Sequence, residues 1–205
     1  MITTEIITTR DRILNAAVVL FSNRGYCRVS MRDIAYEVGI KAASIYNHFS
    51  SKSDILRSLF EYYAVQRLLY APRLEELLLL AETASAQEVL SRLTYHYPDE
   101  VLDKMDRILI IASQDLCSEE GGEQFLREFL YDATLNILVP VLNRMIELGK
   151  IEPINVWDFS LLLTHYDISA ALLNRTSMSN DLQQWRSCLT LLFSLIRCTD
   201  QGDEL

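Results

Sequence analysis

The chain has 205 residues, 50% of them apolar and 23% charged, with six glycines and four prolines. That excludes a disordered or fibrous chain, because there is ample side-chain material for a core and no glycine or proline repeat. Formal net charge is -9, from 19 basic and 28 acidic residues, and taken whole this argues against a surface that seeks phosphate. The four cysteines, Cys27, Cys117, Cys188 and Cys198, lack metal-ligand spacing. No metal and no cofactor are therefore expected; reduced thiols are the simpler reading, with a bridge left open. The start, Met1 to Ile6, has no basic segment leading into an apolar run, and the longest apolar stretches, near Leu77 to Ala81 and Ile108 to Ala112, are far short of a membrane span. A cytoplasmic protein with no membrane partner is the expectation.

In chain order nearly every segment reads as helix. From Arg10 to Asn23 the residues Ile13, Ala16, Ala17, Leu20 and Phe21 recur at helical spacing, with Thr8 or Thr9 as cap and Gly25 as stop. Ser30 with Asp33 forms a capping box ahead of Met31, Ile34, Ala35 and Val38, and Gly39 ends that short helix. A third short helix is predicted from Ala42 to His48, with Ala42, Ile45 and Phe49 facing inward. Ser51 and Asp54 open a longer helix that Pro72 stops or kinks, and Ser85 with Glu88 opens another. Tyr97-Pro98 interrupts the pattern, and a stripe from Val101 to Leu116 follows. A single helix of about 25 residues is then predicted from Phe125 to Gly149, kinked at Pro140. Asn155 caps the next, to about Leu173, and Asn180 with Gln183 caps the last. The fold class is all-α.

Charge divides this helical chain. Residues 1–55 carry seven basic and five acidic side chains, whereas residues 56–205 carry twelve basic and twenty-three acidic ones. A small basic head on an acidic body follows.

The three short helices are the informative part. The runs Ser30-Met31-Arg32-Asp33-Ile34-Ala35, Val38-Gly39-Ile40, Ser44-Ile45-Tyr46-Asn47-His48-Phe49 and Ser51-Lys52, with Phe21, Gly25 and Tyr26 before them, resemble the N-terminal signature of the TetR family of transcriptional regulators. The resemblance covers Thr9 to Leu56, about a quarter of the chain, and is specific in combination. The rest is similar to the family only in length and helical character. The resemblance divides the chain into a helix-turn-helix DNA-binding domain, residues 1–54, and a larger helical effector-binding and dimerisation domain, residues 55–205.

Helix, glycine turn and second helix is also helix-turn-helix architecture on physical grounds, and it places the segment from Lys41 to His48 in the major groove of a double-stranded operator. Arg10, Arg28, Arg32 and Lys52 are candidates for phosphate contact, and Ser30 caps a helix whose free N–H groups can face the backbone. Tyr46 and His48 can donate to phosphate oxygens, although Tyr46 alone reads equally as a packing aromatic and His48 alone more readily as an ordinary surface histidine. The exposed reading surface is small: Lys41, Ala43, Ser44 and Asn47. Asn47 can read adenine, Ala43 can touch a thymine methyl, and Lys41 can reach a phosphate or a guanine edge. The family usually has Ser or Thr where Lys41 stands, so here the cap of the recognition helix is missing, at a usual cost of about 1 kcal/mol.

One weakly basic head cannot hold an operator tightly, so a homodimer on a palindrome is expected. The dimer candidates are Trp157, Leu161 and Leu162 on one long helix, and Leu182, Trp185, Leu189, Leu192, Phe193 and Ile196 on the last. The resemblance further implies a small-molecule effector in the body that releases DNA. Candidate lining residues are Tyr95, His96, Met105, Gln114, Phe125 and Phe129, together with Tyr131, His165 and Tyr166. An enzyme is not expected, since no nucleophile motif, phosphate loop or carboxylate–histidine pattern is present. The alternative is a dimeric ligand-binding or adaptor protein with a silent head.

Overall fold

The computed structural model describes residues 7–93, 97–114, 121–173 and 193–199. Its elements are α1 (Thr9–Arg24), a short 3-10 turn (Tyr26–Arg28), α2 (Met31–Val38), α3 (Ala42–Ile45), α4 (Lys52–Tyr70), α5 (Leu74–Thr83), α6 (Ala86–Leu93), α7 (Asp99–Gln114), α8 (Gly122–Phe125), a π-helical stretch (Leu126–Asp132), α9 (Ala133–Glu147) and α10 (Val156–Leu173). The fold is all-helical, and among the described residues the one extended pairing is an antiparallel bridge between Ile151 and Cys198. No helix among them is long and apolar enough to cross a membrane.

The chain forms two compact units, Met1–Gln66 with Asp99–Phe125, and Arg67–Pro98 with Leu126–Leu205. In the first, α1 packs on both α2 and α7. Its core is the inward stripe of each helix: Ile13, Ala17 and Phe21 from α1, Ile34 and Ala35 from α2, Ile45 and Phe49 around α3, Ile55 and Leu59 from α4, and Ile108 and Ile111 from α7. Phe60 stacks on Phe125 with centroids 4.2 Å apart, and Phe21 meets Tyr26 edge-on. Burying this many large aliphatic and aromatic groups, at about 1.5–3 kcal/mol each, is what holds helices of eight residues and fewer in place.

The second unit is built on α5, α9 and α10, with α6 against α5. Leu77, Ala81, Val89, Val141, Leu142 and Met145 are buried in its core together with Leu163, Phe193 and Ile196. Pro140 lies inside α9 as expected. The single long helix expected around it is not continuous: Gly122–Phe125 is α-helical, Leu126–Asp132 is π-helical, and α9 begins only at Ala133. A π stretch adds a residue to each turn, which a stripe read at 3.6-residue spacing does not reveal. The last helix, expected from Asn180 through Ile196, lies outside the described residues except for its end, where Phe193 and Ser194 are helical and Leu195 and Ile196 already are not.

Candidate nucleic-acid interface

The interface candidate is held together by caps. Thr8 Oγ1 accepts from Asp11 N while the Asp11 carboxylate accepts from Thr8 N and its hydroxyl, at 3.2, 3.0 and 2.6 Å, which fixes the start of α1. Ser30 and Asp33 form the same reciprocal box at the start of α2. At α4 the pattern is shifted by one residue. Ser51 Oγ accepts from Asp54 N at 3.1 Å, but the Asp54 carboxylate reaches back to Ser50 N. These hydrogen bonds hold all three carboxyls below the ordinary value of 3.8, chiefly through the Thr8 hydroxyl for Asp11, the Ser30 hydroxyl for Asp33 and the Ser50 amide for Asp54. The head thus places three of its five acidic charges on helix N-termini, where they offset the positive end of the macrodipole.

Gly39 makes the turn. It is left-handed, with φ 75°, and its N–H and that of Ile40 close α2 by bonding to carbonyls of the last turn, Ile40 N reaching Ala35 O at 3.0 Å. Arg12 satisfies one more terminal carbonyl, donating to Val38 O at 2.6 Å. That bracing role was not read from the sequence, where Arg12 looks like any polar residue of α1.

The recognition segment is shorter as a helix than expected. α3 is one turn, Ala42–Ile45, and the chain continues to His48 in tighter turns, with Asn47 N bonded to Ser44 O and His48 N to Ile45 O. Lys41 supplies no side-chain cap, so nothing offsets the cost of starting a helix there. The orientation survives because Ile45 and Phe49 are buried beneath the segment. Lys41, Ala43, Asn47 and His48 are exposed, Tyr46 is 56% exposed, and Ser44 is half-buried. Five of the predicted contact residues therefore face outward along one short segment.

The basic side chains sort into two groups. Arg28, Arg32 and Lys41 are exposed, and none is hydrogen-bonded or ion-paired among the described residues. Arg10 and Lys52 instead hold the domain together. Arg10 lies 4.2 Å over the Phe49 ring and donates to Ser58 Oγ and His48 O, while Lys52 lies 4.0 Å over Tyr26 and donates to Tyr26 O at 2.8 Å. Tyr36, 87% exposed on α2, is an aromatic on the same domain that the sequence reading passed over. Its position outside the apolar stripe of α2 was the available signal.

The effector candidates scatter. Tyr95 and His96 lie outside the described residues. Met105 is buried in α7 and Gln114 exposed at its end, both in the first unit. Phe125 is likewise in the first unit, buried against Phe60 and Tyr63. In the second unit Phe129 and Tyr166 are half-buried, and Tyr131 and His165 are brought together, hydroxyl to Nε2 at 3.3 Å with the rings edge-on. His165 Nδ1 lies 2.7 Å from Leu161 O, a carbonyl that only accepts, so Nδ1 carries a proton and donates to it.

Of the dimer candidates, Trp157 and Leu162 are 55% and 51% exposed on α10, and Leu161 is half-buried. Phe193 and Ile196 are instead 8% and 4% exposed, inside the chain's own core, because they pack on the same cluster as Leu163 and Val156. Leu182, Trp185, Leu189 and Leu192 lie outside the described residues.

Comparison with known proteins bears on the same segment. Residues 13–59 match the model for the N-terminal domain described as bacterial regulatory proteins, tetR family. The uncharacterised HTH-type transcriptional regulator YerO of Bacillus subtilis is 26% identical over 126 residues, 62% of this chain and 42% of that protein. The biofilm operon icaADBC HTH-type negative transcriptional regulator IcaR of Staphylococcus aureus is 42% identical over 57 residues, 26% of this chain and 31% of that protein. The chain thus spans less than half the length of each of these curated relatives. Among solved structures, the ketosteroid transcriptional regulator KstR2 of Mycobacterium tuberculosis aligns with TM-score 0.64 at 20% identity, over 96% of this chain and 98% of that one. A transcriptional regulator from Saccharomonospora viridis in complex with choline aligns with TM-score 0.63 at 21% identity, over 90% and 95%. At such identities the likeness is one of fold.

Proposed function

We propose that this chain, whose residues 13–59 match the N-terminal domain of the tetR family of bacterial regulatory proteins, represses transcription as a homodimer bound to a palindromic operator, and that a small molecule releases it. The observation that carries this is the recognition segment: Lys41, Ala43, Tyr46, Asn47 and His48 exposed over buried Ile45 and Phe49, beyond a left-handed glycine turn. In this reading Lys41, Ala43, Ser44 and Asn47 meet base edges in the major groove. Tyr46 and His48 donate to phosphates on one side, and Arg32 and Ser30 at the start of α2 meet the other strand's backbone. Lys52 contributes charge while remaining tied to Tyr26.

The name of IcaR as a negative regulator supports repression. Dimerisation is proposed through the exposed face of α10 at Trp157, Leu161 and Leu162, continued by the chain segment that holds Leu182, Trp185, Leu189 and Leu192; Phe193 and Ile196 support that face from within. The effector is proposed to bind in the body, from residue 55 onward, where Tyr131 and His165 offer a polar pair. The head, residues 1–54, is the part released. Of the similar structures, one is titled a ketosteroid transcriptional regulator and another is a complex with choline. The effector's physical action is differential affinity: a ligand that prefers the non-binding arrangement lowers DNA affinity by that preference.

The test is a fluorescence-anisotropy titration of the full chain on duplexes from the DNA flanking its own gene, at stated salt. Saturable binding that Tyr46→Ala and Asn47→Ala each weaken by roughly tenfold is expected, since a good contact contributes about 1–3 kcal/mol. Binding that neither substitution alters would overturn the assignment of this face.

A further inference from the structure

The first unit contains an open cleft of about 800 Å³ between α1, α4 and α7, apart from the residues proposed for DNA or effector. Val18, Val19, Tyr62 and Val101 form its apolar side, and Asp11, Asn15, Glu100, Asp103, Lys104 and Arg107 its polar side. Asp11 keeps its negative charge, accepting from the neutral Thr8 in the capping box. Asp103 is paired with Arg107 at 2.8 Å. Lys104 is different. It is half-buried, lies 4.1 Å over the Tyr62 ring, and donates at 2.9 Å to the neutral amide oxygen of Asn15, with no carboxylate in ion-pair range among the described residues. Burial lowers its pKa, Asp11 offsetting this in part.

We propose that this cleft binds a small amphipathic monocarboxylate, its carboxylate on the Lys104 ammonium and Asn15 amide and its apolar part along Val18, Val19, Tyr62 and Val101. A half-buried ammonium resting on an aromatic face gains a counter-ion where water is already partly excluded, so the charge-assisted bond is stronger than at the surface. The cleft has room for a ligand of that size. Glu100 lies on the same lining and makes no hydrogen bond or ion pair among the described residues, so it disfavours a second negative charge and selects a monoanion over a dianion. Asn15 belongs to α1 and Lys104 to α7, so the ligand bridges the two helices.

Isothermal titration of the full chain with octanoate, 1-octanol and octanedioate tests this. One octanoate per chain is expected, with the alcohol and the dianion each bound at least about tenfold more weakly. Lys104→Met is expected to weaken octanoate at least about tenfold by removing the ammonium. Val19→Trp, at a position already 40% exposed and so tolerant of a larger side chain, is expected to block the cleft without disturbing the core. No saturable octanoate binding by the wild type overturns the proposal. So does octanoate binding that either variant leaves unchanged, since the ligand would then sit elsewhere.

Discussion

Gly39 and Asp33 show how much of the head rests on single atoms. Gly39 sits at φ 75°, where a Cβ meets the carbonyl oxygen of its own backbone, so Gly39→Ala is expected to cost about 1–2 kcal/mol although open space surrounds the site. Chemical denaturation of the full chain reads that difference directly. Asp33 gives a pH signature. Its folded pKa is depressed by Ser30, so its contribution to stability is present above the unfolded value of 3.8 and is lost as pH falls through the folded value. Asp11 and Asp54 act in the same direction. Thermal melting is therefore expected to fall in acid, and Asp33→Asn to reduce that slope while lowering the melting temperature at neutral pH. A melting temperature of Asp33→Asn with the same acid slope as the wild type would show that the box contributes nothing. At this scale the sequence was legible where partners are local: the Ser30–Asp33 box and the Asn155 cap both stand three residues from the groups they satisfy. Arg10 and Lys52 were not legible as braces, because their partners, Ser58 and the Tyr26 carbonyl, are brought close only by folding.

Among the α-helices of the head α3 is the exception, a single turn without a side-chain cap that bears the reading surface. Its buried pair, Ile45 and Phe49, is the same for one helical turn or two. The helix ends at Ile45, Ala42 is exposed rather than inward-facing because it stands at the uncapped first turn, and the chain runs on in turns in which Asn47 N meets Ser44 O and Phe49 N meets Ile45 O. Lys41→Ser separates stability from recognition. It restores a cap and is expected to stabilise the head by about 1 kcal/mol. It also removes a cation from the reading face, so the slope of log affinity against log salt is expected to become shallower by about one if Lys41 meets a phosphate. An unchanged slope with an altered base preference would instead assign Lys41 to a guanine edge. The π stretch Leu126–Asp132 was illegible for a related reason: Phe125, Phe129 and Ala133 recur every four residues, a spacing that both helix types accommodate.

For the whole molecule, local pattern dictates the helices and their stops, and assembly dictates which faces they bury. An all-helical chain with a glycine-turn head was readable, since each stripe and stop signal is local. Which stripe serves the chain's own core was not, and Phe193 and Ile196 are buried within the chain while Trp157 and Leu162 remain outside. If α10 carries the subunit contact, Trp157→Glu with Leu162→Glu is expected to shift sedimentation from dimer to monomer and to weaken operator binding far more than half-site binding. A double variant that stays dimeric would place the interface elsewhere. The most direct measurement is selection of bound sequences from a random-sequence duplex pool by the wild-type chain, followed by sedimentation of the complex. The account predicts an enriched inverted repeat occupied by two chains, each head on one half-site. No enriched sequence, with only weak binding even at low salt, would contradict it.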